Sequence, residues 1–160
     1  MPNDFTKIFE DEFNQYQTDG YTDKIDCVVG KLDEPESFSR LDNKTQESLP
    51  AFAAWIADEI KLSPTQLRRF YTYVKAAERN ASEKNGVLDS RTKAKLMFLL
   101  PKLAGSSNVK KDAEKKSIKI LYRVFAVCIH TNNKIQNKKD LERFVEFFEA
   151  ILDFHATQED

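Results

Sequence analysis

The 160-residue sequence contains few of the residues that interrupt or cross-link a chain, with four glycines, five prolines and two cysteines. Scarce glycine and proline favour helices over a β fold with many turns. Cys27 and Cys128 belong to no CxxC pair, which is typical of reduced thiols in a cytoplasmic protein. The longest apolar run, residues 51–57, is too short to span a bilayer. The N-terminus lacks the basic start and apolar core of a secretory signal, so we expect a cytoplasmic protein without membrane contact.

Motifs for catalysis are also missing. The sequence has no glycine-rich phosphate loop, no GxSxG and no HExxH. His130 and His155 are the only histidines, and His155 falls on the apolar stripe of its helix, where a packed histidine is expected. Cys128 also falls on an apolar stripe and is predicted to be a core residue. We therefore expect no catalytic residue, no metal site and no cofactor.

Helical periodicity dominates the rest of the chain. We predict a single all-α domain, a bundle of five or six helices, because apolar residues recur at helical spacing in each of the predicted segments. Residues 1–49 are expected to form an acidic helix followed by a loop-rich extension, with a short extended piece near 25–29. Residues 50–155 are expected to form the helical core. The predicted helices cover 4–17, 50–61, 63–80, 91–105 with Asp89 or Ser90 as its cap, 112–131 and a last segment that Asn137 caps.

Two prolines shape these boundaries. Pro50 is expected to open the second helix, because proline suits a first helical position. Pro101 is expected to kink or split its helix near Leu100, since a proline inside a helix removes a backbone donor and clashes with the preceding turn.

The helix at 63–80 carries the clearest start signal in the sequence. Ser63 is placed to cap it, Pro64 suits the first position, and Gln66 stands where a capping-box partner belongs. Leu62 and Leu67 are spaced for a hydrophobic staple across the cap.

Charge is segregated along the chain although the net charge is only −1. Residues 1–60 carry 14 acidic and 5 basic side chains, and residues 140–160 carry 7 acidic and 1 basic. Residues 61–139, in contrast, carry 5 acidic and 19 basic side chains. A strongly basic segment predicts a surface that binds a polyanion. The alternative is that the acidic ends fold against the basic middle and neutralise it.

The basic side chains follow helical stripes. Measured from Leu67, Arg68, Lys75 and Arg79 fall at roughly 100°, 80° and 120°, whereas Arg69 lies on the far side of the helix. The helix at 112–131 repeats the arrangement beside its own apolar seam. Two explanations are open: a track for phosphate groups, or a solvated basic face of the kind common in helical proteins. Measured from Ile118, Lys115, Lys119, Arg123 and Lys116 fall at roughly 60°, 100°, 140° and 160°, and Lys95 and Lys102 belong to the basic segment between the two helices.

Three stretches together resemble a known family. They are LSPTQLRRFY at 62–71, KLMFLLPKLA at 95–104 and RFVEFFEAILDFH at 143–155. This combination resembles the small helical subunit of the type III-A CRISPR effector, the Csm complex. The resemblance implies an all-α subunit without catalysis, copies of which stack beside the backbone subunits and the large subunit. Its implied partners are the guide RNA, single-stranded target RNA and other copies of itself.

The resemblance also implies a role for the basic stripes in contacting RNA. The residues so implied are Arg68, Arg69, Lys75, Arg79, Lys95, Lys102, Lys115, Lys119 and Arg123. A helical protein-interaction adaptor that binds no RNA is the alternative function. A helical ribonuclease is a second rival, which the absence of a histidine near the basic stripes disfavours.

The last helix has an unusually wide apolar arc. Its apolar side chains span about half the circumference, whereas one bundle face requires a stripe of about 100°. Either this helix is central in its own bundle, or Phe147 and Phe154 cover a surface that meets another subunit. We favour the second explanation, which predicts that these two rings are subunit-interface residues.

Overall fold

Seven α-helices, one 3-10 turn and a short hairpin make up the described part of the chain. The computed structural model describes residues 4–17, 20, 23–34, 37–41, 43–106, 111–129 and 134–157. The all-α prediction is confirmed, and the described residues form seven α-helices where six helical segments were predicted. The elements are α1 (Asp4–Tyr16), α2 (Lys24–Asp33), the 3-10 turn (Phe38–Arg40), α3 (Asn43–Glu59), α4 (Pro64–Arg79), β1 (Glu83–Lys84), β2 (Val87–Leu88), α5 (Ser90–Ser106), α6 (Asp112–Ile129) and α7 (Lys138–Ala156).

The additional helix is α2, and it corrects the prediction of a loop-rich segment with an extended piece. Asp23 caps α2, because its carboxyl oxygen accepts a hydrogen bond from the backbone N–H of Asp26 at 2.8 Å. Cys27, Val28 and Leu32 are fully buried, and α2 packs on α6. Tertiary burial of one helical face therefore outweighs the β preference of the paired valines in this stretch.

The second correction concerns Pro50, which lies inside α3 rather than at its start. An interior proline costs a helix about 3 kcal/mol, so the turns before it need support from outside the helix. Ser48 provides part of this support, because its hydroxyl donates to a carboxyl oxygen of Glu12 at 2.9 Å and lies 3.3 Å from the Tyr16 hydroxyl. Packing on α1 thus holds the first turns of α3 in place.

Pro101 likewise does not split its helix, because α5 continues from Ser90 to Ser106. Three residues around it, Leu99, Leu100 and Leu103, are buried. Burial of this apolar face supports one continuous helix, so the predicted split near Leu100 is wrong, whereas a kink there stays a prediction.

The predicted start of α4 is confirmed in detail. The Gln66 backbone N–H donates to the Ser63 hydroxyl at 3.1 Å, and the Ser63 backbone N–H donates to the Gln66 side-chain oxygen at 2.9 Å. This reciprocal pair is the capping box. Leu62 and Leu67 are both buried, as a hydrophobic staple requires.

A tight hairpin joins α4 to α5. Asn85 and Gly86 adopt positive φ values of 55° and 75°, which suits the two central positions of a turn between paired strands. Asp89 then caps α5, since its two carboxyl oxygens accept from the backbone N–H groups of Ser82 and Thr92, each at 3.0 Å. A hydrogen bond from the Thr92 side chain, together with the backbone donors of Ser82 and Thr92, lowers the pKa of Asp89 to about 2.

The centre of the core is α7, which packs on both α3 and α4. Its Phe148 ring lies 4.7 Å from the Phe125 ring of α6. On the other flank, Phe147 is only 3% exposed, and its ring lies 6.0 Å from Phe38 of the 3-10 turn. Neighbours on both sides therefore account for the wide apolar arc at Phe147. Phe154 is partly buried against the same core, and an interface role for either ring stays a prediction.

The 3-10 turn is attached to α7 by a buried polar cluster around Asp140. The carboxyl group of Asp140 is fully buried, and its two oxygens accept from the backbone N–H groups of Ser39 and Gln136, each at 2.9 Å. Next to it, the Phe38 backbone N–H donates to the Lys134 carbonyl oxygen at 2.8 Å. Residues about 100 positions apart in sequence are thereby held together.

Replacement of Asp140 by alanine is expected to destabilise the fold by roughly 2–4 kcal/mol, because two backbone donors lose their buried acceptor. The measurement is urea denaturation followed by circular dichroism. Glu142→Ala is the control on the same helix, and this exposed residue should change the free energy of unfolding by about 0.5 kcal/mol or less. Equal effects of the two substitutions would contradict the role given to Asp140.

Candidate nucleic-acid interface

The stripe of Arg68, Lys75 and Arg79 lies along the flank of α4 that faces α7. Tyr71, which belongs to the same side of α4, packs its ring 5.4 Å from the Phe148 ring of α7. The stripe therefore runs beside α7 rather than along the middle of an open surface. Arg68 and Arg79 are exposed on this flank.

Acidic groups accompany this stripe. The Lys75 ammonium nitrogen lies 2.8 Å from a carboxyl oxygen of Glu78. That hydrogen bond, together with the attraction of Glu78 and Glu149, raises the pKa of Lys75. The flank that faces α7 is thus mixed in charge, and Lys75 already has an anionic partner.

Arg123 on α6 is also paired. Its guanidinium nitrogen Nη2 lies 2.7 Å from Oδ1 of Asp26, which belongs to α2 in the acidic N-terminal segment. The hydrogen bond from Arg123 lowers the pKa of Asp26. Lys134, buried at the far end of the basic segment, donates to the backbone carbonyl oxygen of Asp33, and its ammonium nitrogen lies 3.9 Å from Oδ1 of the same residue. At these two cations, the alternative prediction that the acidic end neutralises the basic middle describes the structure correctly.

The opposite flank of α4 faces α5 and forms a groove. Arg69, which the sequence places away from the main stripe, lines this groove together with Lys102 of α5. The groove has a volume of 580 Å³, within the range of pockets that hold small molecules. None of the described residues that line it is acidic. We call it the α4–α5 groove, and its lining includes Arg69, Phe70, Thr72, Tyr73, Lys102 and Ser106.

Tyr73 fixes the geometry of the α4–α5 groove. Its hydroxyl donates to the backbone carbonyl oxygen of Lys95 at 2.8 Å, which ties α4 to α5. The ammonium nitrogen of Lys102 lies 4.9 Å from the centroid of the Tyr73 ring, a cation–π distance. Desolvation raises the pKa of Tyr73, so this hydroxyl is a neutral donor near pH 7.

The structure therefore divides the predicted RNA-contacting residues into groups. Arg69 and Lys102 lie together in an acid-free groove, whereas Lys75 and Arg123 are already paired with carboxylates. Lys115 and Lys119 are exposed on α6, and Lys95 is half-buried on α5. An RNA-contacting role for each of these residues stays a prediction.

Sequence reasoning missed Phe98, whose side chain is 60% exposed on α5. The run LMFLL after Lys95 is apolar throughout, so hydropathy alone does not separate this ring from its neighbours. Its spacing of three residues from Lys95 and four from Lys102 was the available signal, because residues so spaced share one helix face.

The described residues offer little for catalysis. Cys128 is fully buried, and burial raises the pKa of its thiol, so a reactive thiolate is not present there. His155 is buried in the core, as expected. His130 lies outside the described residues. In the same described part, no cluster of three or more metal-binding side chains occurs, and no helix is long and apolar enough to cross a membrane.

We expect Arg123→Gln to raise the pKa of Asp26, because the substitution removes the hydrogen bond that holds this pKa below its ordinary value. The measurement is the titration of the Asp26 carboxyl carbon by NMR. Since a lowered carboxyl pKa stabilises the fold above the unfolded-state pKa, this contribution disappears as the pH falls through the folded-state pKa.

Arg143→Gln is the matched control for that titration. Arg143 pairs with Glu146 on α7 instead, so its loss should leave Asp26 unchanged. An Asp26 titration that is the same with and without Arg123 would show that the pair does not form in solution.

Comparison with known proteins gives one family. The family described as Csm2 Type III-A matches residues 43–160, a range that begins at the first residue of α3. No curated protein and no solved structure matches the chain.

Proposed function

The chain belongs to the Csm2 family of type III-A CRISPR small subunits, and from this premise we propose that it is a non-catalytic subunit that contacts RNA through its basic surface. In this proposal the chain stacks with other copies along the effector complex and faces the guide RNA and its single-stranded target. The observation that carries it is the family match, which extends over residues 43–160.

The distribution of charge supports contact with the RNA backbone. Arg69 and Lys102 lie in a groove whose described lining has no carboxylate, so their charge is available to an anion. A guanidinium group can make a forked contact with a phosphate, and an ammonium group acts as a point charge. Binding of this kind releases counterions and does not depend on base sequence.

Acidic side chains add selectivity to this proposal. Asp26 of α2 is paired with Arg123, Glu78 is paired with Lys75, and Glu149 of α7 also attracts Lys75. A polyanion is repelled where carboxylates lie and attracted where they are absent. We therefore assign the main RNA contact to the α4–α5 groove and to the exposed lysines of α6, rather than to the Arg68 stripe.

The purified chain is expected to bind single-stranded RNA weakly and without base-sequence preference, with affinity that falls as salt rises. A contact with a single strand gives a log–log slope of about −0.7 per phosphate neutralised, so three to five contacts predict roughly −2 to −3.5. The measurement is fluorescence anisotropy across a salt series. A slope near zero would favour the adaptor without RNA binding.

Matched substitutions locate the contact. Arg69→Gln and Lys102→Gln should each make the slope less negative by about 0.7, with a melting temperature that holds within a few degrees because both side chains are exposed. Lys75→Gln, the control, removes a cation that already has a partner and should change the slope less. A larger change of the slope with Lys75→Gln would indicate that RNA contacts the flank that faces α7.

The purified chain is also expected to leave RNA intact, with or without divalent metal ions. The reason is that Cys128 and His155, two side chains of reactive type, are buried in the core. Gel analysis of a labelled RNA after long incubation is the measurement. Cleavage that co-purifies with the chain and is lost on replacing His130 would support the ribonuclease instead.

A further inference from the structure

Phe98 is the most exposed large hydrophobic side chain in the described part of the chain, at 60%. Within that part, no other aromatic ring packs against it. It lines a shallow hollow with Tyr73, Pro101 and Lys102, and this hollow adjoins the α4–α5 groove through the shared Tyr73 and Lys102. A ring held open to solvent at the edge of a basic groove needs an explanation other than core packing.

The position of Phe98 on α5 places cations on both sides of it. Measured from Phe98, Arg91, Lys95 and Lys102 fall at roughly 20°, 60° and 40° around the helix. With a rise of about 1.5 Å per residue, Lys95 and Lys102 stand roughly 4.5 and 6 Å away along the axis. The exposed aromatic ring is therefore part of a basic stripe, an arrangement typical of surfaces that bind single-stranded nucleic acids.

The ring of the neighbouring Tyr73 is not open to a ligand in the same way. The Tyr73 hydroxyl is bound to the Lys95 carbonyl oxygen, and the Lys102 ammonium lies over its ring. The Phe98 ring has no such partner among the described residues, so it offers an aromatic face to a ligand. Arg69 and Lys102 lie along the adjoining groove, where they would meet an anionic backbone.

We propose that Phe98 is a stacking platform for an unpaired base of single-stranded RNA, and that Arg69 and Lys102 bind the phosphates beside that base. This inference rests on the proposed function, to which it adds a defined subsite. A base can stack on the ring only if it is unpaired, so the site selects single strands over duplex. The absence of acidic residues from the described lining favours RNA over an ordinary protein partner, since carboxylates commonly accompany cations at protein surfaces.

The test compares two oligonucleotides on the full chain: a single-stranded RNA decamer and a decamer of the same charge whose residues lack bases. The native chain should bind the base-containing strand more tightly. Phe98→Ala should raise the Kd for that strand roughly 5- to 150-fold, the range expected for loss of one stacked base. It should leave both the salt slope and the Kd for the abasic strand unchanged.

Two further variants make the comparison specific. Phe98→Trp should restore tight binding, because it keeps an aromatic face. Met97→Ala, the control, truncates the exposed neighbouring side chain and should change neither Kd. Arg69→Gln and Lys102→Gln should weaken both strands and reduce the salt slope, a pattern opposite to that of Phe98→Ala.

Each possible result has a distinct meaning. If Phe98→Ala binds both strands as the native chain does, the stacking site is overturned while backbone binding stands. If the substitution instead abolishes self-association or entry into the effector complex, with RNA binding unchanged, the ring docks protein and the inference is wrong. If the native chain binds neither strand, the proposed function fails, and this subsite fails with it.

Discussion

The buried contact between Asp140 and the 3-10 turn is the constraint on which the arrangement of the helices depends. Asp140 lies in the first turn of α7, and its carboxyl group accepts the backbone N–H of Ser39, which links the acidic N-terminal segment to the C-terminal helix. Phe38 is thereby set over Phe144 and Phe147, which closes the second side of α7. The helix becomes a central element, and at Phe147 its apolar arc is covered within one chain.

The packing of the N-terminal segment also decides which cations remain available. Because α2 is held on α6, Asp26 reaches Arg123, and because Asp33 lies beside residue 134, Lys134 is covered. The net charge of a segment therefore says little about its surface. A balance of 19 basic to 5 acidic side chains over residues 61–139 becomes a surface of which only parts are free of carboxylates.

Local signals predicted much of this fold, and tertiary packing decided the rest. The α4 capping box and the Asn85–Gly86 turn were predictable because each depends on neighbouring residues alone. α2 and the course of α3 through Pro50 were not, since their stability comes from burial against α6 and α1. In the candidate site, helical geometry separated Arg69 from Arg68, but only the packed structure gives each side its neighbours.

Those neighbours explain why two consecutive arginines are expected to differ in function. Arg68 and Arg69 lie about 100° apart on α4, so one turns toward α7 and the other toward α5. The α7 sequence carries five acidic residues, whereas residues 90–106 of α5 carry none. An anion approaching α4 therefore meets carboxylates on the first flank, whereas the α4–α5 groove on the second flank has Arg69 and Lys102 and no acidic residue in its described lining. The cations of the α4–α5 groove lie beside the exposed ring of Phe98. In the proposed site, one single strand places its phosphates on the cations and an unpaired base on the ring.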